Sequence, residues 1–175
     1  HDNKWIATNN RDNNDLGITI YDNSNWQYLK IPFDFYYPSF RQIVSIEFSS
    51  DNKVWIGTKK YIACYNDGNW TFHHSKNMGF SFDYLSCLAI DSNDVVWAGT
   101  SNGLAYFYNN KWKVLKLYDY ERFSENILSI CFENKDLMWV GTTSGVYSIK
   151  NISKPLTVRN PLKDLTVMMN AEDEI

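Results

Sequence analysis

Apolar and polar positions along this chain fall into short runs separated by turn residues, and the runs recur. The clearest is Trp5-Ile6-Ala7-Thr8, which returns as Trp55-Ile56-Gly57-Thr58, Trp97-Ala98-Gly99-Thr100 and Trp139-Val140-Gly141-Thr142. The spacings are 50, 42 and 42 residues. Trp26, Trp70 and Trp112 form a second set. Trp70 and Trp112 each follow the preceding Trp by 15 residues, and Trp26 follows Trp5 by 21, because residues are inserted within Asn9 to Asp15. No tryptophan falls out of register, so the repeat runs through the whole chain and any fold must explain it.

Each unit carries four short segments with strand character. In segment A, Val44, Ile46 and Phe48 match Ser86, Leu88 and Ile90, then Leu128, Ile130 and Phe132. The alternate positions are Ile43, Ser45, Glu47; Leu85, Cys87, Ala89; and Ile127, Ser129, Cys131. This period of two, nearly free of charge, predicts a strand buried on both faces. Segment B is the Trp-x-Gly/Ala-Thr run, set off from A by the turns Ser49 to Lys53, Asp91 to Asp94 and Glu133 to Asp136. Segment C reads Gly17-Ile18-Thr19-Ile20-Tyr21, Tyr61-Ile62-Ala63-Cys64-Tyr65, Gly103-Leu104-Ala105-Tyr106-Phe107 and Gly145-Val146-Tyr147-Ser148-Ile149. Segment D starts near Trp26, Trp70 and Trp112; the fourth unit has Lys154 and then Pro155 there.

Four short antiparallel strands per 42-residue unit predict an all-β fold, a β-propeller of four blades. A helical repeat would space its apolar residues by three and four. A β-sandwich built from hairpins would not keep so strict a period. The small residue two after each Trp marks a close approach between neighbours. The predicted blades are 1–42, 43–84, 85–126 and 127–164, with 165–175 an extra innermost strand able to complete the first blade. In that segment Leu165, Val167 and Met169 fit the large positions of A. The chain begins at the A–B turn, as Asp2-Asn3-Lys4 copies Asp51-Asn52-Lys53. Two arrangements follow: a closed four-bladed ring, or an arc of a larger propeller. The second is preferred, because the same turn pattern stands at both ends.

Composition narrows the partners. The net charge is −3 and 17% of the residues are aromatic. That excludes a disordered chain and gives no electrostatic footprint for nucleic acid. No apolar run is long enough to span a membrane, so no membrane contact is expected within this segment.

The unit, seen best in Val54-Trp55-Ile56-Gly57-Thr58, in Val96-Trp97-Ala98-Gly99-Thr100-Ser101-Asn102-Gly103-Leu104 and in Met138-Trp139-Val140-Gly141-Thr142-Thr143-Ser144-Gly145-Val146, resembles the two-component regulator propeller repeat. Tyr61, where Gly is expected, and the insertion in the first unit depart from it. The resemblance implies the periplasmic or extracellular sensor region of a bacterial signalling receptor, often of the hybrid type in Bacteroidetes, and in several cases a polysaccharide-derived ligand. It also covers secreted scaffolds with no kinase. Its motif residues are structural, so function has to be sought in the loops.

Strand polarity sorts the loops. The A–B and C–D turns share one face; the D–A connections and B–C turns share the other. The second face is aromatic, with Phe33, Phe35, Tyr36, Tyr37 and Phe40, then Phe80, Phe82 and Tyr84, then Tyr118, Tyr120 and Phe123, and with Arg41 and Arg122 among them. Aromatic platforms with amide and guanidinium groups suit sugar rings. The candidate ligand residues are therefore Tyr36, Tyr37, Arg41, Phe82, Tyr84, Tyr118, Tyr120 and Arg122. The competing reading is that these rings fold inward to cap the blades.

No catalytic residue, metal site or cofactor is expected. His73 and His74 are strand neighbours that face opposite ways. Cys64, Cys87 and Cys131 read as small core residues rather than a disulfide framework. No Gly-x-Ser-x-Gly, His-Glu-x-x-His or phosphate-binding loop occurs. Asp34, Asp83 and Asp119 recur in like places, which suits a repeat feature better than a differentiated acid and base. The partners expected are a glycan or small-molecule ligand, and further blades or a second copy.

Overall fold

The B–C–D hairpin pattern forms the frame. The computed structural model describes residues 3–10, 15–32, 42–115, 126–150, 152 and 165–170. The first sheet holds β1 (Lys4–Asn10), β2 (Asp15–Tyr21) and β3 (Trp26–Lys30). The second holds β4 (Ile43–Phe48), β5 (Val54–Thr58), β6 (Tyr61–Asn66) and β7 (Asn69–His74). The third holds β8 (Leu85–Ile90), β9 (Val96–Thr100), β10 (Gly103–Tyr108) and β11 (Lys111–Leu115). The fourth holds β12 (Ile127–Asn134), β13 (Leu137–Thr142), β14 (Gly145–Lys150) and β15 (Leu165–Asn170). Every pairing is antiparallel and follows chain order, so each sheet is a meander.

The turns follow from residues that tolerate a left-handed backbone. Asp67 and Gly68 (φ 46° and 84°) and Asn109 and Asn110 (51° and 59°) form two-residue hairpin turns between C and D. These are turns of the kind in which both central residues take positive φ, matching the twist of the strands they join. Asn52 and Asp94 hold the same conformation one repeat apart in the A–B turns.

The sheets lie face against face, with the main contacts between the first and second, second and third, and third and fourth. Strands β4, β8 and β12 sit side by side at the inner edge. The core consists of three layers between sheets. Ile18, Ile20 and Ile31 meet Val54, Ile56 and Ala63. Trp55, Ile62 and Cys64 meet Leu85, Leu88, Ala98 and Trp112. Trp97 and Leu104 meet Ile127, Val140, Tyr147 and Ile149. This is the arrangement of propeller blades, here an arc of four.

The inner strands correct the simple alternation. Register shifts fall at Val44, Ser86 and Leu128, the same place in each repeat. A bulge puts an extra residue into one strand and turns the following side chains over. Leu85 therefore joins Leu88 on the face toward the second sheet, and Ile127 packs back on the third. Nor are the inner strands all buried on both faces. β8 has sheets on either side and is largely buried, whereas Ser129, Cys131 and Glu133 of β12 are exposed. Cys131 is thus no core residue; Cys64 is buried and Cys87 half-buried.

The segment expected as an extra innermost strand takes another place. β15 pairs with β14, from Ile149↔Leu165 to Gly145↔Asn170, and so is the outer strand of the fourth sheet. Among the described residues the first sheet has three strands. The fourth unit lacks its own Trp-bearing D segment, and the edge of β14 would otherwise present unpaired backbone groups.

Candidate functional site

The small residues of segment B are explained by packing. A Cβ on Gly57 would lie 2.5 Å from Leu85 Cδ2, and one on Gly99 would lie 2.7 Å from Ile127 Cγ2, each on the next sheet. The following threonine bridges the B and C strands in every unit, and in the last three it closes the turn between them. Thr8, Thr58, Thr100 and Thr142 hydroxyls donate to the carbonyls of Gly17, Tyr61, Gly103 and Gly145 at 3.2, 3.2, 2.6 and 3.0 Å. The motif therefore builds the B–C turn and leaves its outer residues free to vary.

That turn meets the D–A connection, as strand polarity requires. Ser101 Oγ accepts from Asp83 N at 2.8 Å and Tyr84 N at 3.3 Å, and Ser101 N donates to Tyr84 O at 3.0 Å. Asn102 Nδ2 donates to Ser81 O at 3.0 Å. From the second sheet, Lys60 Nζ donates to Phe82 O at 3.1 Å and lies 3.7 Å from Asp83 Oδ1, while Leu85 N donates to Lys59 O. The next connection repeats the device, with Thr143 N donating to Asn126 O at 3.1 Å. The connection at 78–84 is thus clamped between the B–C turns of two sheets.

In the first sheet the insertion lengthens the hairpin. Pairing continues past Thr8↔Gly17 to Asn9↔Leu16 and Asn10↔Asp15, whereas the other B–C turns close at the threonine. This hairpin projects beyond its neighbours on the same face.

The candidate ligand residues divide. Tyr84 is exposed at the rim of this face. Phe82 is buried; its ring lies 5.6 Å from that of Phe80 and packs with Met78, Leu85 and Leu88. It has no face to offer a ligand, because the clamped backbone turns it inward to cap the layer between the second and third sheets. Tyr36, Tyr37, Arg41, Tyr118, Tyr120 and Arg122 lie outside the described residues.

The histidines stand in separate surroundings. His73 lies between sheets, its ring 6.0 Å from Trp55, 5.2 Å from Phe107 and 5.9 Å from Trp112. Burial lowers its pKa from the usual imidazole value. His74 Nδ1 accepts from Lys76 N at 2.9 Å at a short 3₁₀ turn, Ser75–Asn77, and its ring meets Tyr61. Desolvation and, second, the charge of Lys76 lower its pKa. Among the described residues no group of three His, Cys, Asp or Glu is placed to hold a metal ion.

One recurring group escaped the reading of the sequence. In the third and fourth units the residue six before the blade Trp is its partner: Trp97 Nε1 donates to Asp91 Oδ2 at 3.0 Å and Trp139 Nε1 to Glu133 Oε2 at 2.7 Å, whereas Ser49 stands at that offset from Trp55. The signal was present as an acid at a fixed offset, but Asp in a turn already has a reason to be there. Asp91 and Glu133 thus each hold a blade tryptophan.

No family model matches the chain, and no curated protein matches it. Among solved structures it is similar to the extracellular domain of the hybrid two component system BT4673 from B. thetaiotaomicron, with 18% identity and a TM-score of 0.65 over 99% of this chain and 22% of that one. It is also similar to virginiamycin B lyase from Staphylococcus aureus (16% identity, TM-score 0.62, 85% of this chain and 48% of that one). A third is PorZ, a bacterial surface component of the type-IX secretion system of Porphyromonas gingivalis (16%, 0.57, 87% and 27%). At these identities the likeness establishes the fold. The chain spans about a fifth of the length of the BT4673 domain it matches.

Proposed function

We propose that this arc belongs to the extracytoplasmic, ligand-sensing propeller of a bacterial two-component signalling receptor. Its ligand is a carbohydrate or other small molecule, held on the face of the D–A connections and B–C turns. The observation that supports this most is the likeness, along 99% of the chain, to the extracellular domain of a hybrid two-component system. The composition of that face adds to it. Tyr84 lies at its rim, and the sequence offers Tyr36, Tyr37, Tyr118 and Tyr120 as further rings for pyranose faces to stack on, with Arg41 and Arg122 as donors for hydroxyl groups. The role is binding, not catalysis.

Calorimetric titration of oligosaccharides against the wild type and against Tyr36→Ala, Tyr84→Ala and Tyr120→Ala tests the reading. A sugar that binds the wild type and loses about tenfold or more in affinity, some 1.4 kcal/mol, in at least one variant supports it. Affinity unchanged in all three overturns the assignment of the face.

A second reading has its own support. PorZ is a surface component of a secretion system, and this chain resembles 27% of it. On that reading the arc is a secreted or surface-attached scaffold that binds a protein. It would bind no glycan, and its partner would be sensitive to the same face.

A further inference from the structure

Two departures from the repeat meet at one point. Tyr61 stands where the other units have Gly17, Gly103 and Gly145. Its partner across the C–D pairing is His74. The first unit has Lys30 opposite Gly17, and the third has Lys116 in the same register. An imidazole thus replaces a lysine where a ring replaces a glycine. The two rings meet edge to face at 4.4 Å, and Tyr61 is buried.

His74 also begins the D–A connection that carries Phe82 and Tyr84. It caps the 3₁₀ turn Ser75–Asn77, its Nδ1 accepting from Lys76 N at 2.9 Å. A ring nitrogen that accepts is unprotonated, so the neutral imidazole carries its proton on Nε2. Ser75 is buried and donates its N–H to Lys60 O at 3.2 Å. Lys60 in turn reaches the far end of the connection, where Nζ donates to Phe82 O. The connection is pinned at its start by His74 and Ser75, and at its end by Lys60 and Ser101.

We propose that His74 is a pH-responsive latch on the connection 75–84, closed when Nδ1 accepts from Lys76 and opened when Nδ1 takes up a proton. The proposal rests on the reading of this connection as part of the ligand face, and adds a control to it: acid loosens the segment that presents Tyr84. With Nδ1 protonated, two N–H groups confront each other and the turn loses its cap. The new charge has two cations for neighbours, Lys76 on its own turn and Lys60 on the facing B–C turn. On the paired strand the titratable group is Tyr61, whose pKa burial raises, so it stays neutral in this range. Asp83 stands 3.7 Å from Lys60 Nζ and is engaged there. His73 lies among Trp55, Phe107 and Trp112 between the sheets. Desolvation first, and then the charges of Lys76 and Lys60, lower the pKa of His74. The released segment therefore binds the proton before the latched one does. The latch holds above about 6.5 and weakens as the pH falls below that value. Lys30 and Lys116 keep their charge over this range, so the response belongs to the second connection.

Hydrogen exchange of the free chain, at about pH 7.5 and about pH 5 on either side of the ordinary imidazole value, tests the latch. Rates are corrected for intrinsic exchange at each pH. Protection of 75–84 is expected to fall about tenfold at the lower pH, the worth of one hydrogen bond, while 96–100 in β9 keeps its protection. His74→Asn supplies a capping acceptor that does not titrate, so protection stays high at both pH values. His74→Phe supplies none, so protection is low at both. His73→Phe keeps the wild-type response. Circular dichroism checks folding, and His74→Gln takes the place of His74→Asn if that variant is unfolded. A wild type with no response at 75–84, a response that survives in His74→Asn, or one that disappears in His73→Phe overturns the proposal. No sugar is present, so a failed latch leaves the reading of the ligand face standing, and a chain that binds no sugar leaves the latch standing.

Discussion

Trp97 Nε1 donates to Asp91 Oδ2 at 3.0 Å, and both residues are buried. The other carboxylate oxygen accepts from Asn93 N at 2.8 Å and Val95 N at 3.0 Å. One side chain thus shapes the A–B turn and anchors the blade tryptophan. Asp91→Ala strands a buried indole N–H and two turn amides. It is expected to cost roughly 2–4 kcal/mol in urea unfolding. Glu133→Ala, whose pair with Trp139 lies at the exposed side of the fourth sheet, is expected to cost about 1 kcal/mol or less. Equal losses at the two sites would refute the role of burial here.

The two tryptophan sets should respond differently to loss of the indole nitrogen. Trp112 Nε1 is buried and has no hydrogen-bond partner. Trp112→Phe removes an orphan donor and is expected to cost less than Trp97→Phe, which leaves Asp91 short of a partner. The difference, read from unfolding midpoints, should be about 1–2 kcal/mol. The reverse order would contradict the assignment of partners.

The junction glycines have no room for a side chain. Gly99→Ala pushes a methyl group against Cys87 Sγ and Ile127 Cγ2, at 2.6 and 2.7 Å before relaxation. The expected loss is about 1–3 kcal/mol, typical of overpacking, with the third and fourth sheets loosened together. Hydrogen exchange would show faster exchange in both β9 and β12. Faster exchange in β9 alone would mean that the glycine matters to its own strand and not to the junction.

Stability should depend on pH through His73 and Glu47, in opposite senses. The folded state lowers the pKa of His73 by burial, so below about 6.5 the unfolded chain binds the extra proton first. Its contribution is present above that pH and lost as the pH falls. Burial raises the pKa of Glu47, opposed in lesser degree by the hydrogen bond to Ser45. That contribution is present at low pH and lost as the pH rises from the ordinary carboxylate range. His73→Phe should flatten the acid limb of a stability profile, and Glu47→Gln should raise stability near neutrality. An acid limb unaltered in His73→Phe would remove His73 from the account.

The repeat was legible because each motif residue has a physical task that few residue types can perform. Gly57 and Gly99 leave space for the next sheet, the threonines close the B–C turns, and Trp55 fills the junction. The bulges were not legible. Leu85 and Leu88 face one way only because Ser86 is extra, and nothing in their spacing distinguishes that from plain alternation. The place of 165–170 was missed for a related reason. An apolar alternating segment carries no mark of which strand edge it joins, and here it joins β14 rather than β1. Phe82 and Tyr84 show the limit for the site. Both are aromatic residues of one loop, and what separates them is the clamp by Ser101 and Lys60, which involves three segments distant in sequence.

The proposed ligand, a carbohydrate or other small molecule, binds on the face of the D–A connections and B–C turns. Hydrogen-exchange mass spectrometry, with and without a saturating oligosaccharide, tests it most directly. Protection is expected at 78–84 and 101–102, and in the connections at 33–41 and 116–125, with the A–B and C–D turns at 49–53, 66–69 and 91–95 unchanged. Protection confined to those turns, or none with any sugar offered, would contradict it.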